Sequence, residues 1–354
     1  MEQFEARESE GNKIVVESIN EAYLKINEGA RKILNERFGS EGQDPMEYHV
    51  REHSENVAKN ARRVLEIVKE IDPGLVSDFD LDFVASESLY HDIVQASLRP
   101  KGQPRKRLRG FEGFEDENLG KAARESGHTI GNERNSAEEL LKELEKYVYH
   151  NNGAGVFQTE SGGFRQEILM DIAATYPDFM MADLPDGTKG LKISQRYLTP
   201  DSSLRAFAIA SADLRGDVGT GSDYGKFRNS GNAELRETQD QIKEKLTKGI
   251  QNLTSEEMSE MAKTVINFKK AQRGFALWQK ILWNESLATN KIINGSAKAE
   301  EIKSRLKQFI KDENFEANAS AAKKESEELE KKYGAINGAG DLAKLLKRVG
   351  YKIE

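Results

Sequence analysis

The chain has 354 residues, 37% of them apolar and 32% charged, with a formal net charge of −7 and no cysteine. That length supports a sizeable core, and the charge content predicts heavily solvated helix faces. The lack of cysteine excludes disulfides, Cys-type zinc sites and thiol nucleophiles. An acidic balance argues against a surface that grips nucleic acid throughout, while leaving a local basic patch open. No run approaches the roughly 18 apolar residues of a membrane helix, and the N-terminal MEQFEARESEGNK is acidic, so a cytoplasmic protein with no membrane partner is expected.

Helical periodicity dominates and no convincing strand alternation is found, so the predicted fold class is all-α. Residues 14 to 37 place Ile14, Val15, Ile19, Tyr23, Ile26, Ala30 and Leu34 at three- and four-residue steps, one amphipathic helix ending before Gly39. A second helix runs from about Met46 to Ile71, with Val50, His53, Val57, Ala61, Val64 and Val68 on one stripe, so His53 continues an apolar face. Pro73-Gly74 stops it, and residues 80 to 98 form the next, with His91-Asp92 near its C-terminal end.

From Arg99 to Gly131 the pattern dissolves into a loop with six glycines and the basic residues Arg99, Lys101, Arg105, Lys106, Arg107 and Arg109. Ser136 and Glu139 have capping-box spacing, which predicts a helix start at Ser136 and a run through Leu140, Leu144 and Val148 toward His150. Further helices are expected at roughly 164 to 183 and 202 to 214. In the latter, Ala206, Ile209 and Ala210 put Asp213 on an apolar face. A carboxylate there needs a cation or donor beside it, and Arg215 is one candidate.

Thr254 and Glu257 are spaced as a further cap, and Met258, Met261, Val265, Phe268, Phe275, Trp278 and Leu282 form the longest apolar stripe. After Gly295 the composition shifts to Lys, Glu and Ala. The expected division is an N-terminal helix in 1–45, a main domain in 46–290 and a helical tail in 291–354, docked through Leu342, Leu345 and Leu346.

The chemistry lies in the order His53, His91-Asp92, Asp213, with gaps of 38 residues from His53 to His91 and 121 from Asp92 to Asp213. Imidazole nitrogen with carboxylate oxygen suits a first-row metal, and a metal with open positions turns water into a nucleophile near neutral pH. Each residue alone reads as an ordinary core histidine or capped aspartate; the combination and its order carry the signal.

This order resembles the HD-domain metal-dependent phosphohydrolases. Asn132-Glu133-Arg134-Asn135-Ser136-Ala137 looks like the Asn-Glu-x-x-Ser-Ala segment of one subgroup, and Ser211-Ala-Asp-Leu-Arg-Gly216 followed by Tyr224 looks like its C-terminal close. The resemblance covers about residues 46 to 240. It implies an HD-domain-like helical bundle with an additional C-terminal helical arm. His53, His91, Asp92 and Asp213 would be ligands of a divalent ion (Mn, Co, Ni, Fe, Zn or Mg), and the substrate a small phosphorylated compound such as a nucleotide.

The resemblance also implies catalytic roles for Asp92 and Glu133, and offers His128 and His150 as second-metal or substrate contacts. Arg105, Arg107 and Arg109 are expected to grip substrate phosphate from a closing loop. One departure stands out: many nucleotide-cleaving members carry a glutamate three residues after the Asp of the pair, where this chain has Gln95, and an amide cannot transfer that proton. Glu133 takes the role, the metal and its water suffice, or the site binds without turnover.

Two other readings stay open. His49-Val-Arg-Glu-His53 fits the H-x-x-E-H pattern of inverted zinc peptidases; under the phosphohydrolase reading, His49 is expected to point away from the metal. A catalytically silent helical scaffold that binds a nucleotide, or recruits a partner through its tail, is the second. The sequence leaves the oligomeric state and nucleic-acid contact undecided.

Overall fold

The computed structural model describes residues 13–42, 45–94, 132–159, 161–184, 187, 189–220 and 223–353. Gln95, His128 and the loop carrying Arg105, Arg107 and Arg109 lie outside the described residues. Predominantly helical architecture is borne out, and no described helix is long and apolar enough to cross a membrane.

The described elements run β1 (Ile14–Val16), α1 (Ile19–Phe38), α2 (Arg51–Ile71), α3 (Asp78–Tyr90), α4 (Asn132–Leu144), β2 (Tyr147–Tyr149) and α5 (Gly162–Ala173). A hairpin of β3 (Asp178–Asp183) and β4 (Lys189–Ser194) follows, then α6 (Leu204–Gly219), α7 (Tyr224–Thr238), α8 (Asp240–Leu246) and the long α9 (Ser255–Thr289). The chain closes with α10 (Lys291–Gly295), α11 (Ala299–Phe309), α12 (Asp312–Tyr333) and α13 (Ala339–Arg348).

Two small sheets replace segments expected to be helical. Ile14 to Val16 form β1, parallel to β2 with Ile14 opposite Tyr147, so α1 starts only at Ile19, capped by Ser18. Residues 178–183 pair antiparallel with 189–194, Asp178 opposite Ser194. Helix α5 ends at Ala173 because Pro177 lacks the amide a continuing helix would need. Ser136 sits inside α4, not at its cap, and the helix begins at Asn132. The Thr254–Glu257 capping box forms at the start of α9.

Helix α2 packs against both α3 and α6. At Gly216 the helices are so close that an added Cβ would lie 2.8 Å from Asn60 Nδ2. Val57, Ala61 and Val64 of α2 share a core with Phe207 and Ile209 of α6, Trp283 of α9, and Ile302, Leu306 and Phe315 of the C-terminal helices. A second core joins α1, α3, α4 and α5, and a third gathers Leu235, Met261, Val265, Leu342, Leu345 and Leu346. At about 25 cal/mol per Å² of apolar surface, this burial on both flanks fixes the ends of α2, α3, α4 and α7 and the middle of α6, which meet at one cleft.

Candidate metal centre

Helix α3 stops at Tyr90, and His91-Asp92 occupy the turn that follows. That turn is clamped from two sides. Arg37 donates to the Ile93 carbonyl at 2.8 Å, and the Val94 amide donates to Ser136 Oγ at 3.1 Å. Ser136, with Ala137 fully buried behind it, therefore holds the turn that presents the His-Asp pair.

His53 in the first turn of α2, His91 and Asp92 after α3, and Asp213 in the middle of α6 converge. One donor atom from each lies within 4.8 Å of the others. His53 Nε2 is 3.1 Å from Asp213 Oδ1 and 3.5 Å from Asp92 Oδ2; His91 Nε2 is 2.9 Å from Asp92 Oδ2 and 3.5 Å from Asp213 Oδ1. An ion bonded to all four at about 2.1 Å would hold its ligands about 3 to 4.2 Å apart, so the spacing fits.

Proton placement fits as well. His91 Nδ1–H donates to the Ser88 carbonyl at 2.6 Å, which leaves the Nε2 lone pair facing the carboxylates. Nε2 is buried and makes no well-formed hydrogen bond, and a cation bound there would take the place of its proton between the carboxylates. The side chain of His91 is 1% exposed, whereas those of Asp92 and Asp213 are 14% and 11% exposed, so the group opens to solvent on its carboxylate side.

The electrostatics are those of a tightly paired cluster. Burial disfavours charge on all four residues, yet their mutual attraction overrides it. Asp213 and Asp92 hold His53 above its usual range, and Asp92 foremost holds His91 well above. Asp92 is held well below the ordinary carboxylate range chiefly by His91 and His49, and Asp213 below it by His53, which hydrogen-bonds to it, and by the neighbouring His91.

The carboxylates open onto a cleft of about 340 Å³ lined by Tyr48, His49, Asn132, Glu133, Thr175, Tyr176, Pro177, Leu214, Glu234, Thr238 and Phe275. Larger clefts exist, including one of about 660 Å³ beside Lys303 and Lys307. Among the described residues, however, the four-residue group is the one assembly of three or more side chains arranged to hold a metal.

Glu133, in the first turn of α4, reaches this cleft. Its Oε2 is buried without a hydrogen-bond partner, and burial, reinforced by the negative charge of Asp92, pushes its carboxyl up to about 8. Glu234 is pushed up to about 7 by burial, with Glu237 adding to the rise and His49 opposing it.

His49 departs from expectation, because it faces the cleft instead of pointing away. Its Nδ1 contacts Glu237 Oε1, and Glu237 Oε2 accepts the amides of Glu47 (3.3 Å), Tyr48 (3.0 Å) and His49 itself (3.3 Å). One buried carboxylate thus ties down the segment before α2, which is why that helix begins at Arg51 and not at Met46. Burial opposes charge on His49, but Glu237 and Asp92 raise it to about 9. No local pattern pointed to this pair, whose members stand 188 residues apart.

The H-x-x-E-H match does not form a single helix face: His49 precedes α2, and Glu52 points outward, exposed. His150 is also apart from the centre, exposed at the end of β2 with Glu17 at 3.8 Å. Arg215, offered by the sequence as a partner for Asp213, makes no ion pair among the described residues. It donates to Gln195 Oε1 (2.8 Å), the Ala210 carbonyl (3.2 Å) and Ser211 Oγ (3.3 Å).

No family model matches this sequence, and neither does any curated protein or solved structure.

Proposed function

We propose that this chain is a metal-dependent phosphohydrolase of the HD-domain type, cleaving a phosphate ester of a nucleotide or similar compound. The observation that carries the reading is the convergence of His53, His91, Asp92 and Asp213, from three separate segments, with their carboxylate side open to a cleft. A divalent cation held there supplies Lewis-acid activation of a water and of the phosphoryl oxygen.

The chain's own groups supply the rest. His49, with Nδ1 engaged by Glu237, has its other ring nitrogen available to give a hydrogen bond or proton to the leaving oxygen as the P–O bond breaks. Glu133, with its carboxyl near 8, exchanges a proton in the range where general acids and bases work best, and so takes the place that Gln95 cannot fill. Tyr48, whose ring lies 4.6 Å from that of His53, forms a partly apolar wall with Tyr176, Leu214 and Phe275. A nucleobase or other flat leaving group fits such a wall.

The test is a panel of phosphomonoesters and phosphodiesters offered to chelator-treated protein with Mn, Co, Ni or Mg added back. Metal-dependent release of phosphate or alcohol supports the reading. Failure with every metal, together with nucleotide binding, moves the chain to the silent-scaffold reading instead.

A further inference from the structure

Asp213 and Arg215 are two residues apart on α6, and two residues turn an α-helix by about 200°, so they face opposite ways. Asp213 looks to the metal centre. Arg215 lines a separate cavity of about 460 Å³ formed between the β4 end, α6 and the C-terminal part of α9, with Ser194, Gln195, Phe207, Leu282 and Ser286. The two cavities share no lining residue.

Arg215 is fully buried, and every acceptor it reaches is neutral: a carbonyl, a hydroxyl and an amide oxygen. Its Nε–H is buried with no acceptor. Burying a guanidinium without a counterion is costly, and an orphaned donor adds to that cost. Asp213 offsets the charge only through space, and on the phosphohydrolase reading its own charge is committed to a cation. The hydroxyls of Ser194 and Ser286 have no hydrogen-bond partner among the described residues and border the same cavity. Glu285 is the one carboxylate on the lining, and it is exposed.

We propose that this cavity binds a compact oxyanion, a phosphate or carboxylate group, which completes the hydrogen bonds of Arg215 and is held by the neighbouring serine hydroxyls. A planar guanidinium with a spare N–H suits such oxygens. The apolar patch of Phe207 and Leu282 leaves room for a small organic body attached to the anion. The cavity geometry stands without the metal reading; only the charge argument draws on it.

The experiment titrates inorganic phosphate into full-length, chelator-treated protein, with ionic strength held constant by chloride, and follows Tm and binding heat. A saturable rise in Tm is expected in wild type and in Asp92→Ala, because the cavity lies on the opposite face of α6 and shares no lining residue with the cleft at the metal centre. Arg215→Gln should abolish it. As that variant is able to fail by not folding, Ser286→Phe, which fills the cavity and keeps the guanidinium, is the second arm; it should fold with unchanged circular dichroism and lose the response. No saturable response in wild type, a response that survives Ser286→Phe, or one lost in Asp92→Ala would overturn the proposal. Metal-dependent turnover of a phosphate ester by wild type is read separately, so either conclusion can fail without the other.

Discussion

His91 Nδ1 sits 2.6 Å from the carbonyl oxygen of Ser88, one turn back along α3. The contact fixes both the plane of the ring and the position of its proton, so Nε2 is the only atom His91 can offer a cation. Long-range proton–nitrogen spectra should show His91 protonated at Nδ1, with the Nε2 resonance moving when a diamagnetic divalent metal is added. A proton found on Nε2 in the metal-loaded protein would contradict this geometry. Removing the ring in His91→Ala should weaken metal binding by at least about 100-fold, beyond the effect usual for a supporting residue.

The His49–Glu237 pair leads to a prediction about leaving groups. If His49 serves the leaving oxygen, His49→Asn should slow hydrolysis of an alkyl phosphate by about 10²- to 10⁴-fold in kcat while metal content stays unchanged. An ester of an acidic phenol, which leaves without a proton, should be slowed far less. Glu237→Gln should follow the same pattern in weaker form. Equal losses on both substrates would reduce His49 to a packing role.

Arg205 is surrounded by four carboxylates: Glu87 (3.2 Å), Asp171 (3.0 Å), Asp80 (2.7 Å) and Glu167 (3.2 Å). Burial pushes Glu87 well above its usual range and raises Asp171, with Arg205 opposing in both cases. A carboxyl whose folded pKa is raised binds its proton more tightly in the fold. Its contribution is therefore complete below the unfolded value and fades as pH rises through the folded one. Glu87→Gln should flatten the decline in stability on going from pH 5 to pH 8, measured by urea unfolding at both. Parallel curves for the variant and wild type would show that the pair does not retain a proton.

Packing gives a further expectation. A Cβ at Gly219, the last residue of α6, would lie 2.5 Å from Ile310 Cγ2 and 2.7 Å from Phe315 Cζ. Gly219→Ala should therefore cost about 1–3 kcal/mol by overpacking. Trp283 is fully buried, stacks on Phe207 at 5.8 Å and donates to the Ile310 carbonyl at 3.1 Å. Trp283→Ala should cost about 3–5 kcal/mol. Chemical denaturation measures both, and a loss near zero at Gly219 would mean that the C-terminal helices shift freely against α6.

The four metal-capable residues were legible because each leaves a local trace: His53 and Asp213 sit on apolar helix faces, and His91-Asp92 lies near the C-terminal end of an expected helix. The cap at Thr254, the buried face of α2 and the first part of that of α9 (Met258, Met261, Val265) were legible for the same reason, whereas Phe268, Phe275, Trp278 and Leu282 are only partly buried and the face continues through Ala276, Trp283 and Leu287. What escaped depends on distant partners. His49 gains its orientation from Glu237, and the Asn132–Ala137 segment gains part of its role from Ser136 gripping the turn at Val94. Residues 178–183 looked helical because their composition is apolar, whereas the strand forms through pairing with 189–194. Ser136 and Glu139 had the spacing of a cap, but spacing alone does not show whether the preceding residues are already helical.

Metal content is the measurement closest to the central claim. Protein purified without chelator should carry about one divalent ion per chain, and Asp213→Asn should lose both the ion and phosphate-ester hydrolysis while remaining folded. Wild-type protein that holds no more metal than Asp213→Asn, after every candidate metal has been supplied, would contradict the account.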